Sequence, residues 1–424
     1  MDIPVKCWSN LSTTEKQRLI SRSITDIDAI LPSVKQIIED VRQKGDTALL
    51  NYTTRFDCPD YKALSLTVTE EAFERAEQSL SAEVKEALDF CIENVHRYHR
   101  SQRPDGMEMK EIRTGVYAGE RWTAVPSAGI YVPRGRGSFP SMLYMLAVPA
   151  VLAGVPSLCI ATPPDHKGEI DPACLYAAQR CGISTVYRMS GAQSLAALAY
   201  GTETVRPVSK VVGPGSKYIA AAKQLLGGII DPGPPAGPSE SIILADNSAD
   251  PNGVVLDLLT EAEHGSDSSA VLVTSSKKLA EGVAEILPRR IEAVPEPRRS
   301  FLRDVFTGYG ALILVSDIDE GAEVVNLFAP EHLQLRLSDS SAVLSKILHA
   351  GEILIGPCTP FTLANYAAGA NAVLPTGGTA KTWGPVSVRD FMKCSTVIKA
   401  GPEGYARLAE HARVLAEYEQ FPCH

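Results

Sequence analysis

From residue 129 onward, short runs rich in Val, Ile and Leu alternate with longer segments of helical periodicity. Strands buried on both faces read as near-continuous apolar runs, so this alternation predicts a parallel sheet wrapped by helices, an α/β fold. Strands are expected at 129–133, 157–162, 184–189, 210–213, 241–245, 270–274, 311–315, 332–337 and 352–356. Before them, 31–54 and 70–100 have the spacing of amphipathic helices, with Gly45-Asp46 as a break inside the first, and the opening of the chain reads as mostly helical. Residues 231–239 (DPGPPAGPS) hold four prolines and two glycines, which forbid regular structure and predict a rigid crossing between two sheets and a domain boundary. After Trp383 the pattern turns helical again, and 406–418 is expected to be a terminal helix that packs on another subunit.

Residues 141–161 carry no charge over about the length a bilayer needs. Pro149, Gly154 and Pro156 interrupt them, so the stretch is read as a buried helix, a turn and a buried strand rather than a membrane span. With 424 residues, 45% of them apolar, the chain can bury more than one core, and two or three domains are expected. Lys plus Arg number 41 against 50 Asp plus Glu, a net charge of -9 that disfavours nucleic acid and anionic lipid and leaves small-molecule chemistry as the expectation. Nine dispersed cysteines without a Cys-x-x-Cys pair, and a start without a signal-peptide run, fit a reduced, cytoplasmic protein.

Several constellations carry candidate chemistry. Glu261 and His264 lie three apart at the end of an apolar helical run, a spacing that puts a carboxylate and an imidazole on one face and suits Zn²⁺, or else forms an ordinary polar last turn closed by Gly265. Glu331-His332 precedes a predicted strand. An imidazole that titrates near neutrality can take a proton from an alcohol while the adjacent carboxylate orders water, and the competing reading is a loop ion pair. Such a strand edge is expected to lie where α/β folds bind ligands. Asn365 offers a carbonyl oxygen to a metal and Asn371 a polar substrate contact, although loop asparagines commonly bond their own backbone. Arg134-Gly135-Arg136-Gly137 and Gly213-Pro214-Gly215-Ser216 each follow a strand and precede a helix, the layout that receives nucleotide phosphates. Neither is Gly-x-Gly-x-x-Gly, and the acidic residue expected after the second strand is missing, since that strand ends in Thr162-Pro163-Pro164 and Asp165 comes late.

Taken together, GIYVPRG, SGAQSLAALAYGTE, VGPGSKYIAAAK, PAGPSES, EAEHGSDS, FAPEHL and GANAVLPT, in this order and spacing, resemble the histidinol dehydrogenase family of zinc- and NAD-dependent enzymes. The resemblance implies two Rossmann-like parallel-sheet domains with helical N- and C-terminal extensions in an intertwined homodimer. The expected divisions are 1–29 as the N-terminal extension, 30–128 with 240–382 as a discontinuous first domain, 129–239 as the nucleotide-side domain, and 383–424 as an extension reaching the partner. It further implies His332 as catalytic base, Glu331 as the residue activating water for a second oxidation, Tyr131, Gln193 and Ser216 at nucleotide positions, and Ser239 at the substrate. Glu261, His264 and Asn365 would bind zinc with His411 from the partner subunit. Where the family has a zinc-binding glutamine and aspartate, this chain has Glu261 and Asn365, two changes that cancel in charge. Ala372 and Ala406 replace a histidine and a glutamate that the family turns toward histidinol. The expected activity is therefore oxidation of a primary alcohol to a carboxylate, with L-histidinol or a related small alcohol as substrate. A different polyol or a sulfonated diol such as sulfopropanediol, or a non-catalytic homologue, are the alternatives.

Overall fold

The computed structural model describes residues 1–22, 27–59, 65–104, 106–134 and 137–424. Gly135 and Arg136 of the first glycine-containing turn thus lie outside the described residues. In chain order the strands are β1 (Val5–Cys7), β2 (Met109–Arg113), β3 (Val116–Ala124), β4 (Ser127–Tyr131), β5 (Ser157–Thr162), β6 (Val186–Arg188), β7 (Lys210–Val212), β8 (Glu240–Ala245), β9 (Ser269–Thr274), β10 (Ala311–Leu314), β11 (His332–Arg336), β12 (Glu352–Ile355) and β13 (Met392–Ala400). They form a parallel four-stranded sheet, β6-β5-β4-β7, a parallel six-stranded sheet, β1-β10-β9-β8-β11-β12, and an antiparallel ribbon, β13-β3-β2. Every strand anticipated from the apolar runs is present, because Val, Ile and Leu at successive positions are buried on both faces of these sheets. Residues 141–161 form the end of the buried helix Pro140–Ala153, a turn at Gly154, and β5. Among the described residues no helix is long and apolar enough to cross a membrane.

Other expectations are corrected. The segment after Trp383 is not all helical: Met392–Ala400 is a strand, mostly exposed, and its run MKCSTVIKA lacks the apolar continuity of a buried strand. The opening residues are not purely a helical extension either, since β1 pairs in parallel with β10 at the edge of the six-stranded sheet, and Ile3 and Trp8 enter its cores. The grouping of 30–128 with 240–382 also runs against the packing. Val34, Ile38, Val41 and Leu49 bury one face of the four-stranded sheet, while Phe73, Leu88 and Val95 join the core on its other face. Leu66 and Val68 extend that sheet through hydrogen bonds with Arg188 and Val186. The apolar stripes of these helices need a partner, and the nearest bare sheet faces belong to β4–β7.

Residues 231–239 carry the chain from the four-stranded sheet to β8, anchored by Lys210 Nζ 2.5 Å from Asp231 Oδ2. Gly213, just past β7, has φ +138°, and a Cβ there would stand 2.0 Å from the Tyr131 carbonyl oxygen at the end of β4. Only glycine lets the two strand ends approach so closely.

Candidate functional site

A cleft of about 1620 Å³ lies between the two parallel sheets. Its two walls are built differently. On the four-stranded sheet, the chain runs β4, β5, β6 in one direction and then returns to place β7 on the other side of β4. The carboxyl ends of β4 and β7 therefore flank a topological switch point, the usual ligand crevice of open parallel sheets. Tyr131, the last residue of β4, and Pro214 to Ser216, which open the helix Lys217–Leu226, line the cleft here. A Cβ on Gly215 would stand 2.6 Å from Ile219, so the turn packs directly on the first turn of its own helix and only glycine fits there. Ser190 and Gly191, at the start of the helix Gly191–Tyr200, complete the wall, with the Gly191 N–H donating to the Tyr131 hydroxyl at 3.4 Å. These two helix starts, with a glycine turn before one of them, fit the pyrophosphate of NAD.

The six-stranded sheet contributes its opposite edge. Glu240, His332 and Glu352 are the first residues of β8, β11 and β12, and parallel pairing aligns His332 with Ser241 on one side and Glu352 on the other. The rule that ligands sit at carboxyl strand ends, which led us to expect a site beside His332, therefore does not explain this wall: the cluster stands at the amino ends. His332 Nδ1 is 2.5 Å from Glu352 Oε1, which fixes the ring, while Nε2 lies 3.7 Å from Glu331 Oε1 and 3.8 Å from Glu261 Oε2. Burial opposes a charge on His332, but Glu261, Glu331 and Glu352 outweigh it and push the imidazole up to about 10. Glu261 is fully buried as well, yet His332 and His264 overcome the desolvation and hold it at about 2. Glu331 goes the other way: burial, with the charges of Glu261 and Glu240, raises its carboxyl well above the usual range. One neighbour is held ionised and the other is pushed toward its neutral form, the opposed environments that mark acid/base sites.

Glu261 ends the helix Pro251–Ala262, which is capped at its start by Asp250 and runs back from β8 to the amino edge. Asn365 Nδ2 donates to Glu261 Oε1 at 2.7 Å, and His264 Nδ1 stands 3.0 Å from Oε2 without the alignment of a hydrogen bond. A buried carboxylate oxygen that accepts no hydrogen bond, beside an imidazole and an amide, is a donor set that a divalent cation would satisfy. The set fits zinc but is not closed: among the described residues no group of three His, Cys, Asp or Glu side chains comes together to hold a metal.

Behind the cluster, Arg22 reaches in from the helix Thr13–Ser21. Its Nη1 is 2.9 Å from Glu240 Oε2, its Nη2 donates to the Phe328 carbonyl, and its guanidinium lies over the Phe328 ring. Glu240 in turn accepts from the Gly377 N–H at 2.7 Å, and its own N–H donates to Glu331 Oε2 at 2.9 Å. Ala329, with φ 50°, turns the chain from the helix Ile318–Phe328 into Glu331-His332.

Of the residues expected from sequence, Glu331, His332, Glu261, His264, Asn365, Tyr131, Ser216 and Ser239 all line this cleft. Asn371 does not, because both ends of its amide are used internally, donating to the Met145 carbonyl at 2.6 Å and accepting from the Val373 N–H at 2.9 Å. That correction is the backbone-bonding role loop asparagines commonly play. Gln193 is buried behind Gly191 rather than in the cleft wall. His411 is exposed on the helix Pro402–Tyr418, of which only Gly404 is buried. Glu352, Glu240 and Arg22 were not anticipated. A legible signal existed for the two glutamates, since each is a lone acid at the head of a predominantly apolar strand (ESIILA, EILI), whereas nothing local marks Arg22.

A nucleotide-type crevice facing a buried histidine and carboxylate cluster defines a class, the α/β dinucleotide-dependent oxidoreductases. The histidinol dehydrogenase family profile matches residues 20–424. A histidinol dehydrogenase of Synechocystis is 46% identical over 416 residues, 98% of this chain and 96% of that protein. A Mesorhizobium japonicum protein described as histidinol dehydrogenase homolog 2 is 46% identical over 424 residues, 100% of this chain and 96% of its own length. The crystal structure of histidinol dehydrogenase from Elizabethkingia anophelis superposes with a TM-score of 0.92 at 31% identity, covering 97% of this chain and 94% of that one. The chain belongs to the histidinol dehydrogenase family, NAD-dependent oxidoreductases that act on CH-OH and oxidise an alcohol through an aldehyde.

Proposed function

We propose that this chain oxidises a small primary alcohol, L-histidinol or a relative of it, through the aldehyde to the carboxylate. The observation that carries the reading is His332: its Nδ1 is fixed by Glu352, and its Nε2 stands beside Glu331 and Glu261 at the cleft. In this reading NAD supplies the hydride acceptor, and zinc, held by Glu261, His264 and Asn365 with His411 of a second copy, supplies a Lewis acid for the substrate oxygen. His332 would take the hydroxyl proton on Nε2, which needs a neutral ring; neutralising the charge of Glu261 would remove part of the pull that keeps it protonated. Glu352 holds the ring in place through that transfer. For the second oxidation Glu331 would act as the base: neutralising the charge of Glu261 removes part of what raises its carboxyl, and the ionised Glu331 would orient a water toward the aldehyde carbon and take up its proton as the hydrate forms. Ser239 and the backbone around it form the substrate wall, and Tyr131 and Ser216 serve the nucleotide, with Gln193 supporting Gly191 from behind.

A second reading concerns the substrate. Ala372 lines the cleft where the family resemblance puts a histidine, and Ala406 is exposed on the last helix where it puts a glutamate. Losing a buried hydrogen-bonding partner costs about 1–3 kcal/mol, so two such losses favour an alcohol other than histidinol, a polyol or a sulfonated diol. NADH formation by the metal-loaded protein against L-histidinol, diols, amino alcohols and sulfonated alcohols separates the readings. Two NADH per alcohol are expected for the preferred substrate; one NADH per alcohol overturns the two-step scheme, and no turnover with any of them overturns the enzyme reading.

A further inference from the structure

Asp57 stands at the C-cap of the helix Asp46–Phe56 and lines the nucleotide-side wall of the cleft. On stability grounds it is badly placed. A carboxylate at a helix C-terminus faces the negative end of the helix, and burial raises its pKa further, offset only by one hydrogen bond. That bond comes from Ser190, whose hydroxyl donates to Asp57 Oδ2 at 2.6 Å. Ser190 is the N-cap of the helix Gly191–Tyr200, yet its side chain makes no capping bond and is turned to Asp57 instead. Among the described residues Oδ1 takes part in no hydrogen bond. An acid kept at this cost, oriented by a serine taken from its capping role and left with one oxygen for the cleft, has the chemistry of a ligand contact.

Its position says which ligand. The wall is the carboxyl edge of β4, β5 and β7, with Tyr131 and Gly191 beside Ser190 and the turn at 214–216 across the crevice. In dinucleotide-binding sheets a carboxylate beside the crevice accepts the ribose hydroxyls and repels a 2′-phosphate, and it ordinarily comes from the end of the second strand. Here β5 ends in Thr162, followed by Pro163-Pro164, and both oxygens of Asp165 have protein partners: Oδ1 accepts from the backbone N–H groups of Lys167 and Glu169 at 2.8 and 2.9 Å, and Oδ2 lies 3.9 Å from Arg134 Nη2. We propose that Asp57, delivered from a helix outside the sheet, takes this role, accepting a ribose hydroxyl of NAD and excluding NADP. The inference rests on the NAD-dependent reading of the cleft.

The test is the dissociation constant of NADH and of NADPH for the full-length protein, followed by cofactor fluorescence, in wild type, Asp57→Asn and Ser190→Ala. Wild type is expected to bind NADH at least tenfold more tightly than NADPH. In Asp57→Asn that ratio should fall at least tenfold, by weaker NADH and stronger NADPH binding together. Ser190→Ala keeps the charge, so it should weaken NADH several-fold and still exclude NADPH; it carries the test if Asp57→Asn does not fold, and unchanged NADH affinity in it then overturns the proposal. A ratio in Asp57→Asn within twofold of wild type overturns the assignment to Asp57 while the NAD reading stands. Wild type that binds neither nucleotide overturns both, a result not confused with the former.

Discussion

Arg22 Nη1 lies 2.9 Å from Glu240 Oε2, with both side chains almost wholly out of solvent. Burial lowers the arginine's pKa and raises the glutamate's, so desolvation outweighs their attraction on both sides. Such a pair adds little net stability, but breaking it strands a buried charge, at about 3–5 kcal/mol. Arg22→Met is therefore expected to lower unfolding free energy by about that amount in a urea titration, and to reduce turnover because Glu240 also holds Glu331. Equal stability in the variant would refute the network.

Charge balance at the inferred metal position gives a second expectation. Glu261→Gln leaves an amide pair and no carboxylate, and should lose bound zinc, read as metal per chain by mass spectrometry. Adding Asn365→Asp in the same protein restores the single negative charge and should restore the metal. Chelation of the wild type should abolish NADH formation, and zinc should return it.

Asp246 joins the ends of β8 and β11: its two carboxylate oxygens accept from the N–H and hydroxyl groups of Ser248 and Ser338. Burial opposes its charge, but these four bonds prevail and hold it at about 2, below its ordinary 3.8. A carboxylate depressed on folding contributes stability in full above its unfolded value, and that contribution fades as pH falls from about 4 through about 2. Asp246 is partly exposed, so after screening the contribution is about 1–2 kcal/mol. Asp246→Asn should be less stable than wild type at pH 7 by that amount and nearly equal to it at pH 2, measured by thermal unfolding across the range.

Ala372→His returns an imidazole to the cleft wall. If the site descends from a histidinol-binding one, the variant should lower KM for L-histidinol about tenfold or more, the effect of about 1.4 kcal/mol or more of restored binding. A variant no better with histidinol, and worse with the preferred alcohol, would show that the pocket has been rebuilt around another substrate.

The sequence disclosed nine of the ten parallel strands among the described residues, all but β1, for one reason: strands covered on both faces are apolar along most of their length. The antiparallel ribbon β13-β3-β2 escaped because its exposed strands, such as MKEIR and MKCSTVIKA, satisfy no such demand. Glu331, His332, Glu261 and His264 were legible as neighbours in sequence. The role of Glu352 depends on strand register, and that of Arg22 on a contact 306 residues along the chain. Asn371 shows the reverse error, a polar residue in a conspicuous motif whose hydrogen bonds are spent on the backbone.

The cleft joins the amino edge of one parallel sheet to the carboxyl edge of another, and that arrangement has an electrical consequence. Helices Pro251–Ala262 and Ile318–Phe328 deliver their C-terminal ends to the first edge, and Gly191–Tyr200 and Lys217–Leu226 present their N-terminal ends at the second. Peptide dipoles thus make one wall cation-seeking and the other anion-seeking before any side chain is counted. A bound molecule carrying phosphates at one end and an electron-poor ring at the other would be drawn in a single orientation, so the backbone itself polarises the passage through which hydride must travel.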